Sequence, residues 1–259
     1  MLERLIPFEK YEGAGNDFII LDFFEKEWVD LNDSVRIAQL CHRNFGIGAD
    51  GLIAVCPVEG FDFEMKYLNS DGRFSTFCGN GSRCAAAYFA SRSAKQRFLF
   101  KAADGPHEAE LMGAEQIKVK MKDLGTIETT SWGKFVHTGS PHIVLEVDQL
   151  NSLNVFEEGR RIRNGFSPEG TNVNFISLGE NSLKIRTYER GVENETLACG
   201  TGITAAAFYL ASKLNKNGHH SIHVEAQGGA LVVELDYQEG QAKNVFLIGP
   251  AKKVFMGFL

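Results

Sequence analysis

The amino-acid sequence predicts an α+β protein of two pseudo-symmetric domains, each a curled, antiparallel-rich sheet wrapped round a central helix. Two passages and one interval carry this expectation. Phe77-Cys78-Gly79-Asn80-Gly81-Ser82-Arg83-Cys84-Ala85-Ala86-Ala87-Tyr88-Phe89-Ala90 begins around a thiol, passes two glycines and runs into an alanine-rich stretch of helical composition. Ala198-Cys199-Gly200-Thr201-Gly202-Ile203-Thr204-Ala205-Ala206-Ala207-Phe208-Tyr209-Leu210-Ala211 repeats it, with the cysteine, both glycines, two alanines, the tyrosine and the last alanine coinciding. The interval is 121 residues, and Tyr67 and Tyr188 lie the same distance apart. A unit that occurs twice reads as a duplicated domain, and two helices that each start Cys-Gly-x-Gly imply one site with twofold pseudo-symmetry.

In chain order, Gly13-Ala14-Gly15-Asn16-Asp17-Phe18 marks a tight turn ahead of the apolar strand Ile19-Ile20-Leu21. Asn32-Asp33-Ser34 caps a helix through Val35, Ile37, Ala38, Leu40 and Cys41. After Gly46-Ile47-Gly48-Ala49-Asp50-Gly51, the run Leu52-Ile53-Ala54-Val55 reads as a buried strand. The stretch from Phe61 to Tyr67 alternates as a strand into the hairpin-type turn Asn69-Ser70-Asp71-Gly72. In the second half, Thr138-Gly139-Ser140-Pro141-His142 precedes the strand Ile143-Val144-Leu145, and the segment from Gly170 to Ile176 stands where that from Gly48 to Ala54 stood. The strand from Lys184 to Arg190 leads, through a loop Val192-Glu193-Asn194-Glu195-Thr196, to the second cysteine helix. Strand pairs follow each helix, Phe98 to Leu111 and Ser221 to Ile248, the latter closed by the turn Tyr237-Gln238-Glu239-Gly240.

The composition narrows the function. The 259 residues carry a net charge of −6, which argues against nucleic acid or an anionic membrane as a partner. No run approaches the ~20 apolar residues of a membrane span, and the N-terminal stretch has no apolar leader core. Five cysteines without a secretion signal are expected to be reduced thiols in a cytoplasm. No Cys-x-x-Cys or Cys-x-x-His pair occurs, so no metal is expected. Cys41, Cys56 and Cys84 read as small buried hydrophobes. A structural disulfide between Cys78 and Cys199 is the competing reading of the pair, but packing alone does not demand the same thiol at the same helix start twice.

A helix N-terminus offers unpaired N–H groups and partial positive charge, and glycine lets a ligand approach the backbone. Each cysteine is therefore expected beside an anion site that lowers its thiol pKa from about 8.5. Two such sites facing one another would hold one carboxylate, with a sulfur on either side of its α-carbon. One thiolate and one thiol so placed invert a stereocentre without a cofactor, and the helix ends stabilise the charge that develops. Gly46-Ile47-Gly48-Ala49-Asp50-Gly51 spells no full dinucleotide fingerprint. The expectation is a cofactor-independent racemase or epimerase.

Gly-Ala-Gly-Asn-Asp-Phe, Asn-Ser-Asp-Gly, Cys-Gly-Asn-Gly-Ser-Arg-Cys, Tyr-Glu-Arg-Gly and Ala-Cys-Gly-Thr-Gly, in this order, resemble the diaminopimelate epimerase family from about Phe8 to Phe255. The resemblance implies interconversion of LL- and meso-diaminopimelate for lysine and cell-wall peptide, with the active site in a cleft between domains and a homodimer as the assembly. It also returns the last strand to the first domain, giving domains of 1–121 with 250–259 and of 122–249. It makes Cys78 the proton donor and Cys199 the acceptor, roles that exchange in reverse. Gly79, Asn80, Gly200 and Thr201 would cradle the reacting carboxylate, and Asn16, Asn69 and Asn172 would bind substrate. Arg190 would pair with the distal carboxylate and Glu189 with an ammonium, while His142 and Glu189 would tune the thiols. Ser140 and Gly51 depart from the family pattern, as a hydroxyl where many members have asparagine and a bare backbone where some have glutamine.

Three rivals remain. A proline or hydroxyproline racemase shares the fold and the two cysteines, but Asn80 and Tyr-Glu-Arg stand where those enzymes carry His and Asp-Arg-Ser-Pro. A thiol hydrolase with His142 as base needs only one cysteine. A binding or redox-sensing protein would hold the ligand without exchanging its α-proton.

Overall fold

The computed structural model describes residues 5–75, 77–113 and 115–259; the first four residues of the stretch read for a leader lie outside them. The chain divides into two compact units, Met1–Val119 with Gly249–Leu259, and Lys120–Ile248. Among the described residues no helix is long and apolar enough to cross a membrane.

The first unit contains β1 (Pro7–Gly13), β2 (Asn16–Asp22), α1 (Ser34–Cys41), β3 (Gly51–Cys56), β4 (Phe63–Asn69), α2 (Gly79–Ala90), β5 (Arg97–Ala102), β6 (Gly105–Gly113) and β7 (Gln116–Lys120), and takes back the last strand, β17 (Lys252–Phe258). The strand order is β17-β1-β2-β3-β4-β5-β6-β7, parallel at β2–β3 and β4–β5 and antiparallel elsewhere. Parallel neighbours need a crossover, and α1 and α2 are those two crossovers. The central strands are apolar without a break because both of their faces are covered. Phe18, Ile20, Ile53 and Val55 pack with Ala85, Ala86 and Tyr88 of α2. Ile19, Leu21, Leu52 and Ala54 pack with Ile37, Leu40 and Cys41 of α1.

The second unit contains β8 (Glu128–Thr130), β9 (Gly133–His137), β10 (Pro141–Glu146), α3 (Val155–Phe166), β11 (Asn172–Leu178), β12 (Ser182–Glu189), β13 (Asn194–Thr196), α4 (Gly200–Leu214), β14 (Gly218–Ala226), β15 (Gly229–Gln238) and β16 (Gln241–Pro250). Its order is β8-β9-β10-β11-β12-β14-β15-β16, parallel at β10–β11 and β12–β14. Strand for strand this matches the first unit in order and direction, so the duplication extends well beyond the cysteine motif. Each crossover helix between β4 and β5, or between β12 and β14, touches strands on several sides. That is why α4 is buried over Ile203–Phe208 with no polar stripe.

One element is added to the expected picture and one expectation needs correction. The added element is α3, which packs on β11 and β12, which Asn154 caps through its side chain, and which buries Val155, Gly159 and Ile162 on one face. The segment from Val192 to Thr196 is no open loop. Asn194–Thr196 pairs antiparallel with Thr187–Glu189, and Glu195 grips Arg186 through two bonds of 2.7 and 2.8 Å.

Candidate active site

Cys78 and Cys199 are the N-caps of α2 and α4, both in extended backbone conformation. Their carbonyls accept the first intrahelical bonds, from Ser82 at 2.8 Å and from Ile203 at 2.9 Å. The Cys78 sulfur accepts the Gly81 N–H at 3.3 Å, as a capping side chain does. The Cys199 sulfur lies 3.4 Å from the Thr201 hydroxyl. One turn along each helix, equivalent residues bond the carbonyl of the first helical residue: Arg83 to Gly79 at 3.4 Å, and Thr204 to Gly200 at 2.9 Å. The duplicated scaffold thus differs in charge. Beneath Cys78 stands a fully buried guanidinium, beneath Cys199 a hydroxyl. Burial pulls the Arg83 pKa down from its ordinary value, opposed by its attraction to Cys84, Cys78 and Glu12.

Around α2 a hydrogen-bond relay has a fixed direction. Arg83, a donor only, gives to Asn80 Oδ1 at 2.9 Å and to the Pro250 carbonyl at 3.2 Å. Asn80 Nδ2 gives to Asn16 Oδ1 at 2.5 Å, and Asn16 Nδ2 gives to Asp50 Oδ2 at 2.8 Å. Asp50, an acceptor only, ends the relay and also receives Arg43 at 2.8 Å. Asp17 pairs with Lys10 at 2.7 Å and with Arg43 at 2.8 Å, and these bonds outweigh burial and hold its carboxyl down to about 2. Sequence reasoning names Asn16 and Asn80 but misses Arg83 and Asp50. The Arg-Cys that follows Cys-Gly-Asn-Gly-Ser, an arginine inside an otherwise small and apolar helix, is the signal that could have found the first.

In the second unit, β11 presents Asn172 and Asn174. Asn172 donates to the Pro141 carbonyl at 2.9 Å and accepts the backbone N–H of Arg190 at 3.0 Å. It therefore ties the start of β10 to the end of β12. The Arg190 guanidinium reaches the Glu169 carbonyl at 3.4 Å, and Glu189 accepts the Thr196 hydroxyl at 2.9 Å. The Thr201 carbonyl accepts from Thr138 at 3.2 Å. His142 is fully buried and its Nδ1 meets Asn174 Nδ2 at 3.2 Å. Burial, then the charges of His137 and Arg190, push its pKa down to about 3, so the ring is neutral. Asn174 is a further residue the sequence reading misses.

Asn69 ends β4 and its backbone closes the turn that follows, giving and receiving bonds with Arg73 and Gly72 at 2.9 Å. Gly51 has a steric reason for lacking a side chain: a Cβ there would lie 2.4 Å from the Leu68 carbonyl and 2.6 Å from the Tyr67 ring. Cys41, Cys56 and Cys84 are buried, and burial pushes the first two thiols up to about 11 and the third higher still. Among the described residues no group of three or more His, Cys, Asp or Glu side chains is placed to hold a metal ion.

The duplicated sheet, closed in each unit round one central helix, is a class of fold that solved structures share. A phenazine biosynthesis protein of the PhzF family from Bacillus anthracis shares it at a TM-score of 0.78, with 15% identity over 99% of both chains. A hydroxyproline epimerase from Agrobacterium vitis shares it at 0.72, with 13% identity over 100% of this chain and 93% of that one. Within that class the chain belongs to the diaminopimelate epimerase family. The family model, Diaminopimelate epimerase, matches residues 8–126 and 134–254. The diaminopimelate epimerase of Flavobacterium psychrophilum is 41% identical over 254 residues, covering 95% of this chain and 97% of that protein. That of Chlorobaculum tepidum is 39% identical over 256 residues, covering 95% and 98%.

Proposed function

We propose that the protein is an isomerase that interconverts LL- and meso-diaminopimelate, in lysine and peptidoglycan-precursor biosynthesis, using two thiols and no cofactor. The observation that carries the reading is the pair of cysteine N-caps on two equivalent helices of a chain that belongs to this family. Inversion at an α-carbon requires a base on one face and an acid on the other. Cys199 as thiolate removes the proton, Cys78 as thiol returns one, and the roles exchange in the reverse direction. As the carbanion forms, charge grows on the carboxylate, where the starts of α2 and α4 supply N–H groups and positive dipole at Gly79, Asn80, Gly200 and Thr201. The buried Arg83 adds positive charge one turn beneath Cys78.

Substrate polar groups go to Asn16, Asn69, Asn80 and Asn172, the distal carboxylate to Arg190 and an ammonium to Glu189. His142 and Glu189 tune the thiols. The fold halves of this reading are 1–121 with 250–259 and 122–249. A homodimer is supported by β17, an edge strand among the described residues, whose Val254, Phe255, Met256 and Phe258 are exposed, a liability that a second copy would cover. The cytoplasm keeps such thiols reduced.

The test is turnover by the purified, reduced protein. LL-diaminopimelate should convert to the meso isomer, while L-proline and 4-hydroxy-L-proline should not racemise. Conversion of the cyclic amino acids alone would move the protein to the racemase branch. A trapped acyl-enzyme without isomerisation would make it a hydrolase.

A further inference from the structure

The polar cluster behind α4 has a bonding direction that fixes the state of a histidine. Asn174 Nδ2 donates to the Ile143 carbonyl at 3.0 Å, and its Oδ1 receives the Thr187 hydroxyl at 3.0 Å. A carbonyl only accepts, so the side-chain nitrogen of Asn174, and not its oxygen, must be the atom beside Ile143. The second hydrogen of that nitrogen points to His142 Nδ1 at 3.2 Å. Nδ1 must then be an acceptor, and the proton of the neutral ring sits on Nε2. That Nε2 is buried and has no hydrogen-bond partner among the described residues, a state that costs free energy unless an acceptor arrives. Asn174 in turn is pinned by α4, since a Cβ on Gly202 would lie 2.3 Å from its oxygen and 3.5 Å from the Cys199 Cβ. At the equivalent place in the first unit, a Cβ on Gly81 would meet the Ile53 methyl at 3.2 Å and its own cap Cys78 at 3.5 Å, with no amide in the place of Asn174. The device therefore belongs to one cysteine helix and not to the other.

We propose that Asn174 is a positioning residue that holds His142 as the neutral Nε2–H tautomer, making it a hydrogen-bond donor to negative charge in the reaction and not a base. This rests on the proposed epimerase reading for its functional half; the tautomer stands on geometry alone. Burial, which holds the ring neutral through the physiological range, agrees with it. A thiolate or carboxylate meeting Nε2–H is stabilised without any proton changing hands.

The experiment is long-range ¹H–¹⁵N correlation of the imidazoles in ¹⁵N-labelled full-length protein, with His142 assigned by its loss in His142→Gln. From pH 8 to 5, Nε2 should carry the proton and Nδ1 should not. Protonation of Nδ1, or of both nitrogens, in that range overturns the assignment whether or not the protein turns over diaminopimelate. In kinetics, His142→Gln keeps an N–H donor and should retain about tenfold more kcat than His142→Leu, where loss of one preorganised donor costs about 10²-fold. Equal loss in the two variants, each folded by circular dichroism, would make the ring a base and refute the donor role. Asn174→Leu should lower kcat with KM little changed and mix the two tautomers, and a wild-type kcat in that variant refutes the positioning role. Should Asn174→Leu not fold, the wild-type spectrum and the His142 pair still decide.

Discussion

Gly202→Ala measures how tightly α4 is fitted onto its sheet. The added Cβ would stand 2.3 Å from Asn174 Oδ1 and 3.3 Å from its Cγ, against an ordinary contact of 3.4 Å or more. The amide must retreat by on the order of an ångström. It cannot do so freely, because Thr187, Ile143 and His142 hold it by three hydrogen bonds. Loss of two of these costs about 2 kcal/mol, and residual overpacking about 1–3 kcal/mol. Alanine returns about 0.5–1 kcal/mol of helix propensity, leaving a net loss of about 2–4 kcal/mol. Gly81→Ala is the matched control, since its Cβ meets a mobile methyl at 3.2 Å and Cys78 at 3.5 Å, and it should stay within about 1 kcal/mol of the parent. Urea denaturation of both variants gives the difference, and Tm should fall by about 5–15 °C in Gly202→Ala only. Stabilities within 1 kcal/mol of each other would refute the account of that contact.

Three further outcomes follow from the same contacts. Asp50→Ala removes the acceptor end of the relay through Asn16 and Asn80; KM for diaminopimelate should rise about tenfold, about 1.4 kcal/mol, and the lost bonds to Asn16 and Arg43 should cost about 2 kcal/mol in a denaturant titration. Arg186→Lys loses the fork on Glu195 and two bonds of 2.9 Å to the Leu150 and Leu153 carbonyls, and should cost about 2 kcal/mol in a denaturant titration. His142 supplies a pH dependence of definite sign. Its folded pKa, about 3, lies below the unfolded value near 6.5, so between those values the unfolded chain binds the extra proton and stability falls as pH falls. By pH 5 the loss reaches about 2 kcal/mol, and His142→Gln should flatten that part of the stability profile.

The duplicated Cys-Gly-x-Gly motifs were legible because they are local: a cap, two glycines and small residues specify a helix start within a few positions. The same holds for β3 and for the Glu239-Gly240 turn, whose positive φ values of 49° and 84° suit a tight hairpin. What escaped was either diluted or distant. The α3 helix buries only Val155, Gly159 and Ile162, a stripe too thin to stand out among its charges. Asn194–Thr196 becomes a strand only by pairing with β12. The partners of Asn16 stand 34 and 64 residues away and those of Asn174 up to 32, separations set by strand order, which no local pattern encodes. Three asparagines expected to touch substrate also have structural work: Asn16 and Asn80 in the relay, Asn172 between β10 and β12.

The central claim, two thiols serving opposite faces of one α-carbon, is tested most directly by starting from LL-diaminopimelate in deuterium oxide and stopping before equilibrium. Two bases predict deuterium at the inverted α-carbon of the meso product and almost none in recovered LL substrate, because the abstracted proton and the delivered deuteron belong to different sulfurs. Cys78→Ala and Cys199→Ala should each abolish the conversion. Deuterium entering substrate and product at equal rates, or full turnover in either variant, would contradict the account.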